Sequence, residues 1–87
     1  MRFEFDPAKS AANKTKHGID FVEAQALWLD PDRLEIPARL SIEVRWQLVA
    51  RYGGKTWSAF VTHRGDAIRI ISVRRARREE EAVYAPG

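Results

Sequence analysis

The sequence predicts an α+β fold with a mainly antiparallel sheet and the element order β-α-α-β-β-β-β-α. Two largely apolar stretches, residues 44–52 and 55–63, flank a Gly-Gly pair at 53–54, which is a strong signal for a two-residue hairpin turn. A Gly-Asp pair at 65–66 marks a second tight turn before a further apolar stretch. Helical patterns occur only before and after this region, as is typical of an α+β domain.

Size and composition indicate a single small domain that spans residues 1–87. The chain is 45% hydrophobic and 31% charged, which is ordinary usage for a globular protein. It has no cysteine, which excludes disulfides, thiolate metal sites and cysteine nucleophiles and is typical of the reducing cytoplasm. No stretch is apolar enough for a transmembrane helix, and the N-terminus does not have the pattern of a signal peptide.

Charge is distributed unevenly along the chain. Residues 17–43 contain six acidic residues and two arginines, a net charge of −4, whereas residues 64–78 contain six arginines and one aspartate, a net charge of +5. The guanidinium group is a rigid, permanently charged fork that suits phosphate. This asymmetry indicates a nucleic-acid-binding face, and a solvated basic helix end is the alternative.

The N-terminal residues predict a short strand over residues 1–5 and a helix after it. Asp6 is the expected N-cap, Pro7 the first helical position, and Gly18 the residue that ends the helix. The helical spacing predicts a narrow inward-facing stripe made of Ala8, Ala11, Ala12 and Thr15.

A second helix is expected from a capping box formed by Asp20 and Glu23 to about Leu29. Its predicted buried residues are Phe21, Ala24 and Trp28. A short edge strand is expected over residues 34–39, ending near Pro37.

The hairpin turn fixes a register in which the paired side chains share one apolar face: Ala50 with Trp57, Leu48 with Ala59, and Trp46 with Val61. We expect Trp46, Trp57 and Phe60 to lie in the core rather than to stack on bases.

A type II′ turn at 65–66 would pair Val61 with Ile70, Ala59 with Ser72, and Trp57 with Arg74. A three-residue turn would instead shift the pairing by one residue and place each side chain of the last strand on the other face of the sheet. The last strand, residues 67–74, is apolar on both faces and is therefore expected either in the interior of the sheet or covered on both sides. A charged helix is expected from Ala76 to Tyr84.

No sequence motif predicts a metal or another cofactor. The chain lacks a glycine-rich phosphate loop, an HExxH motif and a nucleophile elbow. The chemistry-bearing residues are therefore the arginines, which can hold a phosphate and stabilise its transition-state charge but cannot act as a base near neutral pH. His63 and Glu80 are the candidate bases, and Tyr84 is a candidate acid.

Two segments together resemble the BrnT family. The first reads Phe-Glu-Phe-Asp-Pro-Ala-Lys over residues 3–9 and continues with Asn13 and Lys-His-Gly-Ile-Asp-Phe over residues 16–21. The second reads Arg-Ile-Ile-Ser-Val-Arg over residues 69–74 and continues with Glu80 and Tyr84. With the spacing between them, the resemblance covers nearly the whole chain, although residues 31–46 match little.

The resemblance implies a RelE-like fold and a toxin of a type II toxin–antitoxin system. The implied activity is metal-independent cleavage of RNA, which arrests growth. In the cleavage step, a ribose 2′-hydroxyl would attack the adjacent phosphate. The implied partner is a BrnA antitoxin, a ribbon-helix-helix protein, and only the complex of the two would bind operator DNA.

The resemblance implies that Arg69, Arg74, Glu80 and Tyr84 are site residues, and Arg78 matches a position that is commonly basic in the family. With His63, which the sequence itself offers as a base, the expected catalytic set is Arg69, Arg74, Arg78, His63, Glu80 and Tyr84. The residues expected to bind nucleic acid are Lys9, Lys16, His17, Arg64 and Arg75. Glu79 and Glu81 stand where the family is often basic, which weakens the positive field beside the site.

Two alternative functions fit the residues. One is a non-catalytic module that binds nucleic acid, and the other is an interaction domain whose arginines dock an acidic protein. Cleavage of RNA in the presence of EDTA would separate the ribonuclease from both, and salt-sensitive binding without cleavage would favour the first alternative.

Overall fold

The computed structural model describes residues 1–38 and 44–84, which form one five-stranded sheet and three helices. The strands are β1 (Arg2–Glu4), β2 (Leu34–Ala38), β3 (Arg45–Tyr52), β4 (Lys55–Arg64) and β5 (Ala67–Arg75). The helices are α1 (Pro7–His17), a 3₁₀ helix (Glu23–Leu29) and α2 (Arg78–Tyr84). The α+β class and the element order are confirmed. No helix in the described ranges has the length and apolar character needed to cross a membrane.

The strand order across the sheet is β1-β5-β4-β3-β2. The strands from β2 to β5 pair antiparallel, which confirms the prediction of a mainly antiparallel sheet. Strand β1 pairs parallel to β5, which was not predicted, so the sheet is mixed. The predicted edge position of β2 and the interior position of β5 are confirmed. Residue 39, the predicted end of the edge strand, lies outside the described residues.

The β3–β4 hairpin has the predicted register, with Leu48 opposite Ala59 and both side chains buried on one face. Gly53 and Gly54 have φ angles of 62° and 76°. Positive φ at both central residues is what a type I′ turn requires, which explains why the turn consists of two glycines.

The β4–β5 pair departs from the predicted register at a β-bulge. Val61 pairs with Ile70 as expected, but Phe60 pairs with Ser72, so Ile71 is an extra residue on β5. The predicted pairs beyond this point are wrong by one residue. Ala59 pairs with Val73 rather than Ser72, and Trp57 pairs with Arg75 rather than Arg74.

The bulge exchanges the faces of the last two arginines of β5. Arg74 pairs with Ser58 and lies on the sheet face opposite the core, whereas Arg75 lies on the core side, with its guanidinium carbon 5.6 Å from the centre of the Trp57 ring. The next residues continue to α2, which begins at Arg78 and not at the predicted Ala76.

One face of the sheet, called here the core face, is covered by the segment that includes the 3₁₀ helix. The predicted burial of Phe21, Ala24 and Trp28 is confirmed. The capping box also forms: the Glu23 amide donates to Asp20 Oδ1 at 2.7 Å, and the Asp20 amide donates to Glu23 Oε1 at 3.0 Å. The helix it begins is 3₁₀ rather than α.

Helix α1 packs through polar side chains, and the predicted inward stripe is wrong. Its buried residues are Ser10 and Asn13. The side-chain amide of Asn13 donates to the carbonyls of Ile19 and Val73 at 2.8 and 2.9 Å, and Ser10 Oγ accepts a hydrogen bond from the Phe21 amide. The residues predicted to face inward are exposed, namely Ala8, Ala11, Ala12 and Thr15. Asp6 caps the helix as expected.

The opposite face of the sheet, called here the α2 face, carries the alternate residues of each strand. On β4 these are Ser58, Phe60 and Thr62, because successive side chains of a strand point to opposite faces. Helix α2 packs over one end of this face and contacts it through Glu80. Phe60 is therefore not in the core with Trp57, contrary to the expectation from sequence.

Candidate functional site

Arg74 and Glu80 form the centre of the candidate site on the α2 face. Arg74 Nη1 donates to Glu80 Oε1 at 2.8 Å, and Nη2 donates to Oε2 at 2.9 Å, so the ion pair is bidentate. The side chains are 22% and 15% exposed. Such a fork-to-fork pair fixes the orientation of a guanidinium more firmly than a single contact does.

Glu80 also accepts three further hydrogen bonds. The donors are Gln47 Nε2 at 2.6 Å, Ser58 Oγ at 3.0 Å and the Arg77 amide at 2.8 Å. The hydrogen bonds from Arg74, followed by those from these other donors, outweigh burial and lower the pKa of Glu80 to about 2. A carboxylate that binds protons so weakly is a poor general base at neutral pH.

Arg74 keeps donors that the described residues do not use. Its Nη1 group donates to Glu80 and to the Arg75 carbonyl, and its Nη2 group donates once, to Glu80. A guanidinium has five N–H donors. The Nε hydrogen and one Nη2 hydrogen therefore have no acceptor within residues 1–38 and 44–84, and two such hydrogens can hold two oxygens of one phosphate.

Phe60 and Arg69 lie on the same face as Arg74. The guanidinium carbon of Arg74 is 5.2 Å from the centre of the Phe60 ring, which is a cation–π contact. Arg69 pairs with Thr62 on β4, so it is on the α2 face but farther along the sheet. The structure thus places these two arginines of the expected catalytic set on one face of the sheet without bringing them into contact.

Tyr84 is held by Asp30 at the end of α2. Its hydroxyl donates to Asp30 Oδ2, and that oxygen also accepts the Arg51 amide at 2.9 Å. Burial and then the hydrogen bond to Asp30 raise the pKa of Tyr84 to about 12. The proton that Tyr84 would supply as an acid is therefore engaged in holding α2 against the loop before β2.

His63 lies away from Arg74. It pairs with the core residue Ile68, and its ring contacts Trp46 edge-on with the ring centres 5.7 Å apart. Its Nε2 atom is 2.9 Å from Glu35 Oε1, and both side chains are partly exposed. His63 and Arg74 therefore lie on opposite faces of the sheet, so the structure does not join them in one site.

The other predicted binding residues lie around the periphery. Arg78 is exposed at the first position of α2, and Arg64 is exposed at the end of β4. Arg75 is exposed on the core side, over Trp57. The α1 residues are exposed Lys9 and Lys16 and half-buried His17.

Gln47 and Ser58 were not predicted from the sequence, although they orient Glu80. Each is a polar residue between two apolar neighbours in its strand, and the hairpin register places both on the face opposite Leu48 and Ala59. That combination is the signal that could have identified them. Asp30, the partner of Tyr84, had no comparable signal because the two are 54 residues apart in sequence.

A family described as "Ribonuclease toxin, BrnT, of type II toxin-antitoxin system" matches residues 5–80. The match includes most of the described strands and the Arg74–Glu80 pair. No curated protein matches the chain.

Proposed function

Because the chain belongs to the BrnT family of ribonuclease toxins of type II toxin–antitoxin systems, we propose that it is an endoribonuclease toxin that cleaves RNA without a metal ion. Cleavage of RNA would inhibit translation and growth. A cognate antitoxin and an RNA target are implied by the family itself.

The observation that carries the proposal is the pair of unused donors on a fixed guanidinium. Glu80 holds Arg74 in place, and the Nε and Nη2 hydrogens remain for a phosphate. The ligand would meet a cation whose orientation has already been set by protein contacts. Preorganised donors of this kind stabilise the charge that develops on phosphate oxygens in the transition state.

In the proposed reaction, the 2′-hydroxyl of the RNA attacks the adjacent phosphorus, the bond from phosphorus to the 5′ oxygen breaks, and water carries the proton of the 2′-hydroxyl to the departing 5′ oxygen. Arg74 holds the scissile phosphate, and Arg69 and Arg78 contribute positive charge. Glu80 acts as a positioning residue for Arg74. The rate enhancement comes mainly from charge stabilisation, because Glu80 binds protons weakly, Tyr84 donates to Asp30, and His63 faces the other side of the sheet.

The test compares Arg74→Ala with Arg75→Ala in RNA cleavage with EDTA present and in growth arrest. The two variants change the net charge equally. We expect Arg74→Ala to lower the cleavage rate about 10²–10³-fold and Arg75→Ala to lower it far less. Equal losses would show a diffuse basic patch, and binding without any cleavage by the parent chain would favour a non-catalytic nucleic-acid-binding module.

A second variant separates activity from stability. Arg74→Ala leaves Glu80 partly buried without its cation, so some loss of stability is expected. Arg74→Lys keeps a cation near Glu80 but lacks the fork. Thermal melts of all variants, with assays far below each melting temperature, ensure that the rates refer to folded protein. Full activity of Arg74→Lys would contradict the role of the fork.

We also propose the finer features of the system. The antitoxin would be a BrnA-like ribbon-helix-helix protein that covers part of the basic surface, and operator DNA would be bound only by the complex. The fold would be RelE-like, and the protein would act in the cytoplasm. Co-expression with the neighbouring gene tests the partner: restored growth and a co-purified complex support it, and the absence of both contradicts it.

A further inference from the structure

A row of three side chains crosses the α2 face away from Glu80. Thr62 on β4 pairs with Arg69 on β5. Extending the β3–β4 register by one residue beyond Trp46 and Val61 places Arg45 on the other side of Thr62. Two guanidinium groups therefore flank one hydroxyl, since directly paired residues of a sheet share a face.

Two donors of this row are buried and unused. Arg45 Nε and Thr62 Oγ1 have no hydrogen-bond partner in the part of the chain that the structure describes. Thr62 as a whole is only 7% exposed. Buried polar groups are nearly always paired in native proteins, so two orphaned donors side by side indicate a ligand that accepts hydrogen bonds.

The charge around the row favours an anion. Among residues 1–38 and 44–84, no carboxylate forms an ion pair with Arg45 or Arg69. The nearest acid in the register is Glu4, which pairs with Arg69 on β1 and is 4.0 Å from Arg2. A surface recess of about 330 Å³ adjoins the row and is lined by Val44, Thr62, His63 and Arg64.

We infer that Arg45, Thr62 and Arg69 form a second phosphate-binding subsite for the same RNA strand. This inference rests on the proposed function. Ser58, Phe60 and Thr62 follow one another along β4 on the α2 face, and Arg74 pairs with Ser58. The two arginine positions are therefore about 13 Å apart, too far to hold one phosphate group.

Phe60 lies between the two phosphate-binding positions and is half-buried. An aromatic ring placed between cationic groups is the arrangement with which proteins hold single-stranded nucleic acid, because a base can stack on the ring while its flanking phosphates are neutralised. Along β4, the α2 face thus offers a phosphate-binding position at Arg74, a base-stacking position at Phe60 and a second phosphate-binding position at Thr62. Arg45 and Thr62 are the members of this set that the sequence did not single out.

The test measures binding and stability in Arg45→Gln and Thr62→Val. The probe is a mixed-sequence RNA of about ten nucleotides in which every 2′-oxygen is methylated, so that it cannot be cleaved. Lys55→Gln is the charge-matched control, because Lys55 is exposed at the far end of β4 beside the hairpin turn. Binding is measured over a range of salt concentrations, and each variant is melted without RNA.

We expect Arg45→Gln to weaken binding about tenfold and to reduce the slope of log affinity against log salt by about 0.7, the value for one phosphate contact on a single strand. Thr62→Val should weaken binding and yet melt at or above the parent temperature, since it removes an unpaired buried hydroxyl. In cleavage assays, Arg45→Gln should raise KM and leave kcat nearly unchanged.

Two results would overturn the subsite: binding by both variants that matches Lys55→Gln, or a Thr62→Val protein that melts well below the parent. Both results can occur while the parent chain cleaves RNA, which leaves the proposed function standing. Conversely, a parent chain that binds the methylated RNA through Arg45 but cleaves no RNA would support the subsite and contradict the ribonuclease.

Discussion

The side chain of Asn13 pairs with the backbone of Val73 as a neighbouring strand would. Its amide nitrogen donates to the Val73 carbonyl at 2.9 Å, and its amide oxygen accepts the Val73 N–H at 3.2 Å. The strand β1 pairs with β5 only as far as Arg69. Asn13 therefore satisfies backbone groups on the edge of β5 that β1 does not reach, and it joins α1 to the sheet.

The first prediction follows from this contact. Asn13→Ala would leave the Val73 amide and carbonyl and the Ile19 carbonyl without their buried partner. We expect a loss of about 3 kcal/mol in the free energy of unfolding, because an unsatisfied buried polar group costs about 1–3 kcal/mol. Urea unfolding measures it, with Lys16→Ala on the exposed side of α1 as control. A loss no larger than that of the control would contradict the role of Asn13.

The second prediction concerns pH and Glu80. The pKa of Glu80 is lowered to about 2, chiefly by Arg74. A lowered pKa in the folded state stabilises the protein above the unfolded pKa of about 4.5, and this stability is lost as the pH falls from there towards 2. We expect Glu80→Gln to remove this acid-dependent loss, which amounts to about 2 kcal/mol between pH 6 and pH 3. Urea unfolding at pH 6, 4 and 3 measures it, and parallel curves for both proteins would refute it.

The third prediction concerns Tyr84. In a Tyr52→Phe background Tyr84 is the sole tyrosine, and its phenol should ionise near pH 12 rather than 10. Because the pKa is raised in the folded state, the stability it contributes is present below pH 10 and is lost as the pH rises towards 12. Absorbance titration of the phenolate measures the pKa. Asp30→Asn should bring the titration back towards pH 10.

The fourth prediction concerns His63. Because His63 and Arg74 lie on opposite faces of the sheet, His63→Gln should keep the cleavage rate within about threefold of the parent. A general base contributes about 10²–10⁴-fold, so a loss of that size would assign the proton transfer to His63. Glu35→Gln is the control variant: it removes the carboxylate that contacts His63, and it should likewise leave the cleavage rate nearly unchanged.

Local patterns were sufficient to predict the β3–β4 hairpin. Alternating apolar residues and a two-glycine turn are compatible with only one register, and in the structure Leu48 pairs with Ala59 as this register requires. The bulge was not predictable in the same way, because Ile70 and Ile71 are both apolar and the pattern therefore does not show which of them faces the core. The predicted faces of Arg74 and Arg75 depended on this choice, and the prediction therefore placed each arginine on the wrong face of the sheet.

The rest of the site depended on contacts between distant parts of the chain. The expected catalytic set included Arg74 and Glu80, and the structure brings these two together. The partners that hold Glu80, Gln47 and Ser58, come from two other strands. The burial of Asn13 was missed for a related reason. The alanine spacing suggested an inward face for α1, but the helix instead turns Asn13 inward, where it hydrogen-bonds to the backbone of Val73, 60 residues away.

The parallel pairing of β1 with β5 has a consequence for how the molecule is made. Residues 2–4 pair with residues 67–69, and the side chain of Asn13 hydrogen-bonds to the backbone of Val73. Strand β1 and helix α1 can therefore take their final places only after synthesis has passed β5. Long-range contacts of this kind slow folding, and a chain that stops before β5 has neither a partner for β1 nor Arg74.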